Sequence, residues 1–359
     1  MTPSAMAAPL SDPWTYAEPQ DLGFDPGLGD KLEAGIRSGL LPGLHSVLVV
    51  RSGKIVLERY CEGEDENWGR PLGRVSFGPD TLHDLRSITK SVVSLLYGIA
   101  LDRGVVPPPE APLLAQFPEY PELAADPERA AIRIEHALTM TLGTEWNEWL
   151  PYTDPANSEI MMERAEDRYR FILERPVVNP PGERWVYNGG CTALIARLIV
   201  KGSGQTLAAF ADQALFKPLG IETFEWRTGS DGIYSAASGL RLTPRAIARI
   251  GLLALAGGKW GDEQIVSADW LDRSFKPAID TGEGLDYGRF WWLAKDYVPG
   301  LGEPKPWMAG FGNGGQRLWI MPAADLCAVV TAGKYYQPDD WVYPTRVWRE
   351  IVLANLMKA

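Results

Sequence analysis

The stretch Leu85-Arg86-Ser87-Ile88-Thr89-Lys90-Ser91-Val92-Val93-Ser94-Leu95-Leu96-Tyr97-Gly98-Ile99-Ala100 decides how the rest of the chain reads. It is a largely apolar helical pattern with a serine and a lysine three residues apart at its head, so hydroxyl and amine share one helical face. A serine hydroxyl is a poor nucleophile until a neighbour accepts its proton. Lysine accepts a proton only when neutral, and burial among Val92, Val93, Leu95, Leu96 and Ile99 is expected to lower its pKa by disfavouring the charged form. The same spacing also arises where a serine caps a helix and the lysine is solvated. A nucleophile therefore requires two further things: a second proton-transfer group and an oxyanion site.

Composition sets the outer bounds. The 359 residues are 45% hydrophobic and 23% charged, ordinary for a globular protein and enough for a large core. No apolar run is long enough to span a bilayer. A formal net charge of −11 without a basic cluster excludes a nucleic-acid surface. Cys61, Cys191 and Cys327 are odd in number, widely spaced and in apolar surroundings, which fits reduced thiols better than a disulfide framework. His45, His83 and His136 lack metal-ligand spacing, so no metal or other cofactor is expected. His83 lies near Ser87 in sequence, but no Gly-x-Ser-x-Gly elbow surrounds that serine. Met1 to Pro13 lack a secretory signal's basic start and apolar core, which favours a cytoplasmic location.

Along the chain, Pro26 to Ser38 reads as a short helix, and His45 to Val50 with Lys54 to Tyr60 as a hairpin turning at Ser52-Gly53. Glu62 to Asp80 is a polar, Gly-rich surface excursion, and Gly104 closes the Ser87 helix. Helical phrases follow at Ile134–Met140, at Ser158–Leu173 starting from Asp154-Pro155, and at Thr192–Gly202, Thr206–Leu215, Leu242–Gly257 and Ser267–Ser274. Strand character returns at Tyr287–Ala294 and in a second hairpin, Gln316–Met321 with Leu326–Thr331, before a terminal helix over Pro344–Met357. Strand-bearing ends around a helical middle predict an α+β fold. Its expected parts are a sheet domain of residues 1–105 and 240–359, a mostly helical domain of residues 106–239, and an active site between them.

Two segments supply candidate partners for Ser87. Pro180-Pro181-Gly182-Glu183-Arg184-Trp185-Val186-Tyr187-Asn188-Gly189-Gly190 is a tight, glycine-bounded loop suited to hold a phenol toward a cleft, where a nearby ammonium lets it relay a proton. Gly310-Phe311-Gly312-Asn313-Gly314-Gly315-Gln316 matches Gly-x-Gly-x-x-Gly in form, but a strand follows it instead of a helix, which argues against a dinucleotide site. A glycine-dense entry to a strand lets backbone N–H groups approach a ligand, as an oxyanion hole requires.

Taken in this order, Ser87-x-x-Lys90, Pro-Gly-Glu-x-x-x-Tyr187 and the late Gly-x-Gly-Gly-Gln segment resemble the serine β-lactamase and penicillin-binding-protein superfamily. Nearest are its esterase and 6-aminohexanoate-dimer hydrolase branches. The resemblance implies an antiparallel β-sheet flanked by helices, with an inserted mostly helical domain. It also implies Ser87 as acylated nucleophile, Lys90 as its base, Tyr187 as proton shuttle to the leaving group, and an oxyanion hole from the backbone N–H groups of Ser87 and of Asn313 on an edge strand. Two features depart from the pattern. Asn188 follows Tyr187 directly where Tyr-x-Asn is common, and Trp307-Met308-Ala309-Gly310 stands where a Lys-Thr-Gly or His-x-Gly triad helps β-lactamases hold the antibiotic carboxylate.

The expectation is thus a serine hydrolase cleaving a small ester or amide through an acyl-enzyme on Ser87. Trp146, Trp149, Tyr152 and Trp307 are candidates for the cleft rim, Asp154 for a substrate amine, and Asn188 and Gly312 for further substrate contacts. Esterase leads, short-amide hydrolase follows, and β-lactamase or D-Ala-D-Ala peptidase is third. A catalytically silent ligand binder is the rival from another class.

Overall fold

In the computed structural model, which describes residues 14–358, strands from both ends of the sequence meet in one sheet. The strands are β1 (Leu44–Arg51), β2 (Lys54–Tyr60), β3 (Ile279–Asp280), β4 (Asp286–Tyr287), β5 (Trp292–Val298), β6 (Glu303–Gly312), β7 (Gln316–Met321) and β8 (Leu326–Ala332). They form an antiparallel sheet of order β3-β4-β5-β6-β7-β8-β1-β2. The N-terminal hairpin is joined to the C-terminal one through β1 and β8, with Val47 opposite Val330 and Arg51 opposite Leu326. The signal-peptide reading of Met1 to Pro13 falls outside the described residues.

Every residue of β1, β7 and β8 is buried because the sheet is covered on both faces, so these strands read as continuous apolar runs without alternation. The alternation survives in which core each side chain joins. Leu48, Val50, Leu318, Ile320 and Val329 pack with α2 (Ile88–Asp102) and α4 (Pro244–Leu255) on one face. Val47, Val49, Trp319, Met321 and Val330 pack on the other with α1 (Leu28–Arg37) and with Trp348 and Val352 of the C-terminal helical run. Helix starts follow the chemistry of their caps: Thr243 Oγ1 accepts from Ala246 N before α4, and Asn188 Oδ1 from Cys191 N before α3 (Gly189–Ser203).

Several local expectations are corrected. Glu62 to Asp80 is no mere surface excursion: Glu62–Asn67 and Arg70–Ser76 pair as a hairpin, turning at Trp68 and Gly69, both of positive φ, and burying Asp65 and Asn67. Its charged side chains hid the strand pattern. The helix expected from Asp154 starts instead at Ser158, capped by Asn157, and breaks into Ser158–Arg164 and Arg168–Leu173, the second capped by Asp167. β6 was missed because Pro304 and Pro306 interrupt its pattern. The cysteines are unpaired, with Cys191 and Cys327 in the core.

Candidate active site

Ser87 occupies the N-cap of α2, reached through Arg86, a non-glycine residue in the left-handed region at φ 49°. Such a conformation persists only where its surroundings hold it, and here carboxylates do so. The Arg86 guanidinium bonds Glu66, lies 3.2 Å from Asp84 and sits 4.9 Å above the Tyr335 ring. Ser87 is thereby presented half-buried at the helix start, while Ile88 to Ala100 are buried.

Lys90 lies one turn on, 1% exposed. Its Nζ donates to Ser87 Oγ at 2.9 Å and to the Ala237 carbonyl at 3.1 Å, and sits 4.8 Å from the centroid of the Tyr187 ring. The Tyr187 phenol is within hydrogen-bonding reach of both Ser87 and Lys90. Tyr187 is wedged among Trp149, Trp185 and Trp292, at ring distances of 6.0 to 6.2 Å.

The glycine-rich segment comes to the same place. β6 lies inside the sheet and not at its edge, as the resemblance implied for the oxyanion strand. Its pairing with β5 ends at Trp292↔Ala309, however, so residues 310–312 form a local free edge. A Cβ on Gly312 would fall 2.3 Å from the Leu85 carbonyl oxygen and 3.0 Å from Arg86 Cβ, so only glycine lets this strand pass the Ser87 turn. Gly312→Ala is accordingly expected to push strand and turn apart and lower kcat/KM by about 100-fold, with substrate titration of the purified variant as the check.

A cavity of about 630 Å³ opens from Ser87. It passes Gly312 and Asn313 at the end of the sheet and reaches Trp307, Phe311, Trp319 and Trp348, which belong to or pack against the core on the opposite face. Asp296 lies there, accepting from the Trp307 and Trp348 indoles, both at 2.9 Å, and from Arg349. The volume suits a small-molecule site with an apolar lining and few fixed polar groups.

Residues 30–353 match the family described as Beta-lactamase. The chain belongs to the Beta-lactamase family. It is 24% identical over 335 residues to a 6-aminohexanoate-dimer hydrolase of Paenarthrobacter ureafaciens, covering 86% of this chain and 76% of that relative. Among solved structures it superposes with TM-score 0.71 and 18% identity on a Bacillus anthracis protein given a provisional 6-aminohexanoate-dimer hydrolase assignment, covering 96% of this chain and 88% of that one. With TM-score 0.69 and 13% identity it matches EstCE1, a hydrolase with promiscuous acyltransferase activity, over 93% and 96% of the two chains. This member of the Beta-lactamase family is a serine hydrolase with the family's α+β fold. Among the described residues, no helix is long and apolar enough to cross a membrane.

The remaining candidates divide. Trp149, Tyr152, Trp307, Gly312 and Asn313 line the cavity with Ser87 and Tyr187. Trp146 does not: it is buried and donates its indole N–H to Glu148. Asn188 is spent on capping α3, and Asp154 on a turn with Ala156 N, so neither faces the cavity. Trp292, Phe311, Trp341 and Trp348 line it without having been singled out, because aromatic residues carry no sequence signal separating lining from core, and Arg317 lines it as a charge inside an apolar strand. The histidines are less dispersed than their spacing implied. His45 Nδ1 lies 2.8 Å from His83 Nε2, with Asp65 Oδ1 3.7 Å from the latter. Arg241 stands 3.8 Å from Asp65, and Tyr335 donates to Asp65 Oδ1, so positive charge and an occupied oxygen oppose a cation there.

The electrostatics of Lys90 correct the expectation from sequence. Burial does pull its pKa down, but its interactions with Tyr187 and with the neighbouring Glu148 and Glu159 outweigh it, and the net shift is upward. Burial likewise raises Tyr187, against the lowering effect of Lys90. The resting couple is an ammonium beside a phenol. The two glutamates responsible, Glu148 and Glu159, are each 4% exposed and carried no motif.

Proposed function

We propose that the protein is a carboxylesterase-like hydrolase that transfers the acyl group of an ester with a bulky apolar acyl chain to Ser87 and then to water. The observation that carries this is the Lys90 Nζ to Ser87 Oγ contact of 2.9 Å at the mouth of a tryptophan-lined cavity. Once the Lys90–Tyr187 couple has lost a proton, it accepts the Ser87 proton as Oγ attacks the carbonyl carbon. Backbone N–H groups of Ser87 and Asn313 are the oxyanion donors in this reading. The couple returns the proton to the leaving alkoxide as the ester C–O bond breaks, and water repeats the sequence to release the acid. Hydrolysis of short linear amides is the second reading, favoured by the likeness to the 6-aminohexanoate-dimer hydrolase. The missing cationic triad before β7 leaves β-lactamase and D-Ala-D-Ala peptidase activity third.

The test is incubation with a fluorophosphonate and peptide mapping of the adduct, followed by turnover of p-nitrophenyl butyrate, a linear 6-aminohexanoate dimer and nitrocefin. An adduct on Ser87 with ester turnover fastest is expected. Neither adduct nor turnover leaves the silent binder as the better reading.

A pH dependence follows from the upward shifts of both Lys90 and Tyr187. The active form has one proton less than the resting couple, so kcat/KM for a neutral ester should climb through the neutral and alkaline range. A limb near the ordinary histidine value of about 6.5 would instead point to an imidazole base.

A further inference from the structure

Glu148 and Glu159 form a buried carboxyl pair that the acyl-transfer scheme above does not use. Burial, and the charge of Glu148 beside it, hold the Glu159 carboxyl well above the usual carboxylate range. They flank Gly189, the first residue of α3, where a Cβ would lie 3.2 Å from Glu148 Oε2 and 3.2 Å from Glu159 Cδ. The same point is 3.2 Å from Ala237 Cβ, and the Ala237 carbonyl accepts from Lys90. The pair thus lies about one residue's width from the lysine, with no direct ion pair between them.

The donors around the pair decide which member is ionised. Glu148 Oε2 accepts from Gly189 N–H at 2.6 Å and from the Trp146 indole N–H at 2.9 Å, and Oε1 from the Tyr152 hydroxyl at 3.3 Å. A backbone amide and an indole can only donate, so Oε2 is an acceptor. Glu159 Oε1 has the Ser238 hydroxyl at 3.5 Å. Two carboxylates buried side by side do not both ionise, and the donors are spent on Glu148, so the proton sits on Glu159.

We propose that Glu148 and Glu159 act as a carboxylate–carboxylic acid pair of net charge −1 that balances the Lys90 ammonium and sets the pH at which the Lys90–Tyr187 couple releases the proton that activates Ser87. They are positioning residues: neither lines the cavity, and both act on Ser87 through Lys90 and Tyr187. The other titratable groups facing the cluster are Tyr152, Tyr287, Cys191 and Glu163. Glu163 is already paired with Arg168 at 3.0 Å. Burial raises the three tyrosine and cysteine groups well above their ordinary values, which leaves them neutral. Beyond the pair and Lys90, the buried charge facing Tyr187 is Arg317 of the cavity wall, which parent and variants share.

The inference rests on the proposed roles of Lys90 and Tyr187, so its test has one arm that needs no turnover. Infrared difference spectra between the parent and Glu159→Gln, recorded at about pH 8, should show a protonated carboxyl in the parent that the variant lacks, since free glutamate is ionised there. In the kinetic arm, Glu159→Gln keeps the charge of the pair and should leave kcat/KM within about threefold and its acid limb in place. Replacing both, Glu148→Gln with Glu159→Gln, removes the charge and should move that limb about one unit to lower pH. An absent band, or a Glu159→Gln limb that moves as far as that of the double variant, overturns the assignment. Should the double variant fail to fold, the band and the unmoved limb of Glu159→Gln still decide. If no variant and not the parent turns over ester, the band alone tests the pair and the failure belongs to the proposed hydrolysis.

Discussion

Ser87→Ala is expected to lose fluorophosphonate labelling entirely and ester hydrolysis by about 10,000-fold or more, because removing a nucleophile removes the covalent route itself. The fold should hardly register the change. Ser87 is half-buried and its hydroxyl accepts from the Lys90 ammonium, so one hydrogen bond of about 1 kcal/mol is at stake. Intact-protein mass spectrometry after labelling and a thermal melt of the same sample make the comparison. A variant that still hydrolyses ester at a tenth of the parental rate would place the nucleophile elsewhere.

Lys90→Met should cost about 1,000- to 10,000-fold in kcat, the scale of a general base acting on a nucleophile. It should add little to the loss in Ser87→Ala, since the two act as one unit. Methionine fills much of the lysine's volume, so the remaining effect is electrostatic. Without the ammonium, the Glu148–Glu159 pair is left buried with an uncompensated charge, which destabilises the fold. The sign of the pH dependence follows. Burial already raises the Glu159 carboxyl, and without Lys90, which opposes that rise, it holds its proton more tightly still than in the unfolded chain. The variant's stability is therefore present at acid pH and lost as pH rises. Urea unfolding at about pH 5 and about pH 8 should show a larger deficit relative to the parent at the higher pH.

The placement of Ser87, Lys90 and Tyr187 was legible because each belongs to a local pattern whose spacing is itself the geometry. Ser87 and Lys90 meet as residues i and i+3 of α2, and the loop before α3 is short enough to fix Tyr187. The strands of the central sheet were legible where they are continuous apolar runs, as in β1, β7 and β8. β6 was not, since its prolines obscure a pattern that pairing with β5 and β7 nevertheless supports. Glu148 and Glu159 were hidden for a different reason. A glutamate outside any motif is usually solvated, and only the burial of these two beside the start of α3 gives them their effect on Lys90. Arg86 was silent because a left-handed residue leaves no mark when it is not glycine or asparagine. The cavity lining required knowing that β5 stops short of the end of β6.

The pairing of β1 with β8 carries a consequence for the order in which the molecule is made. Leu44 lies opposite Ala332, so the N-terminal hairpin leaves the ribosome long before the strand that flanks it. Contacts this remote in sequence form late and slowly. Ser87 and its helix are synthesised early, while β5, β6, β7 and the Trp348 helical run, which wall the cavity and form the free strand edge beside the serine, come last. A nascent chain thus carries its serine and lysine without a pocket to serve, and reactivity arrives with the closing of the sheet.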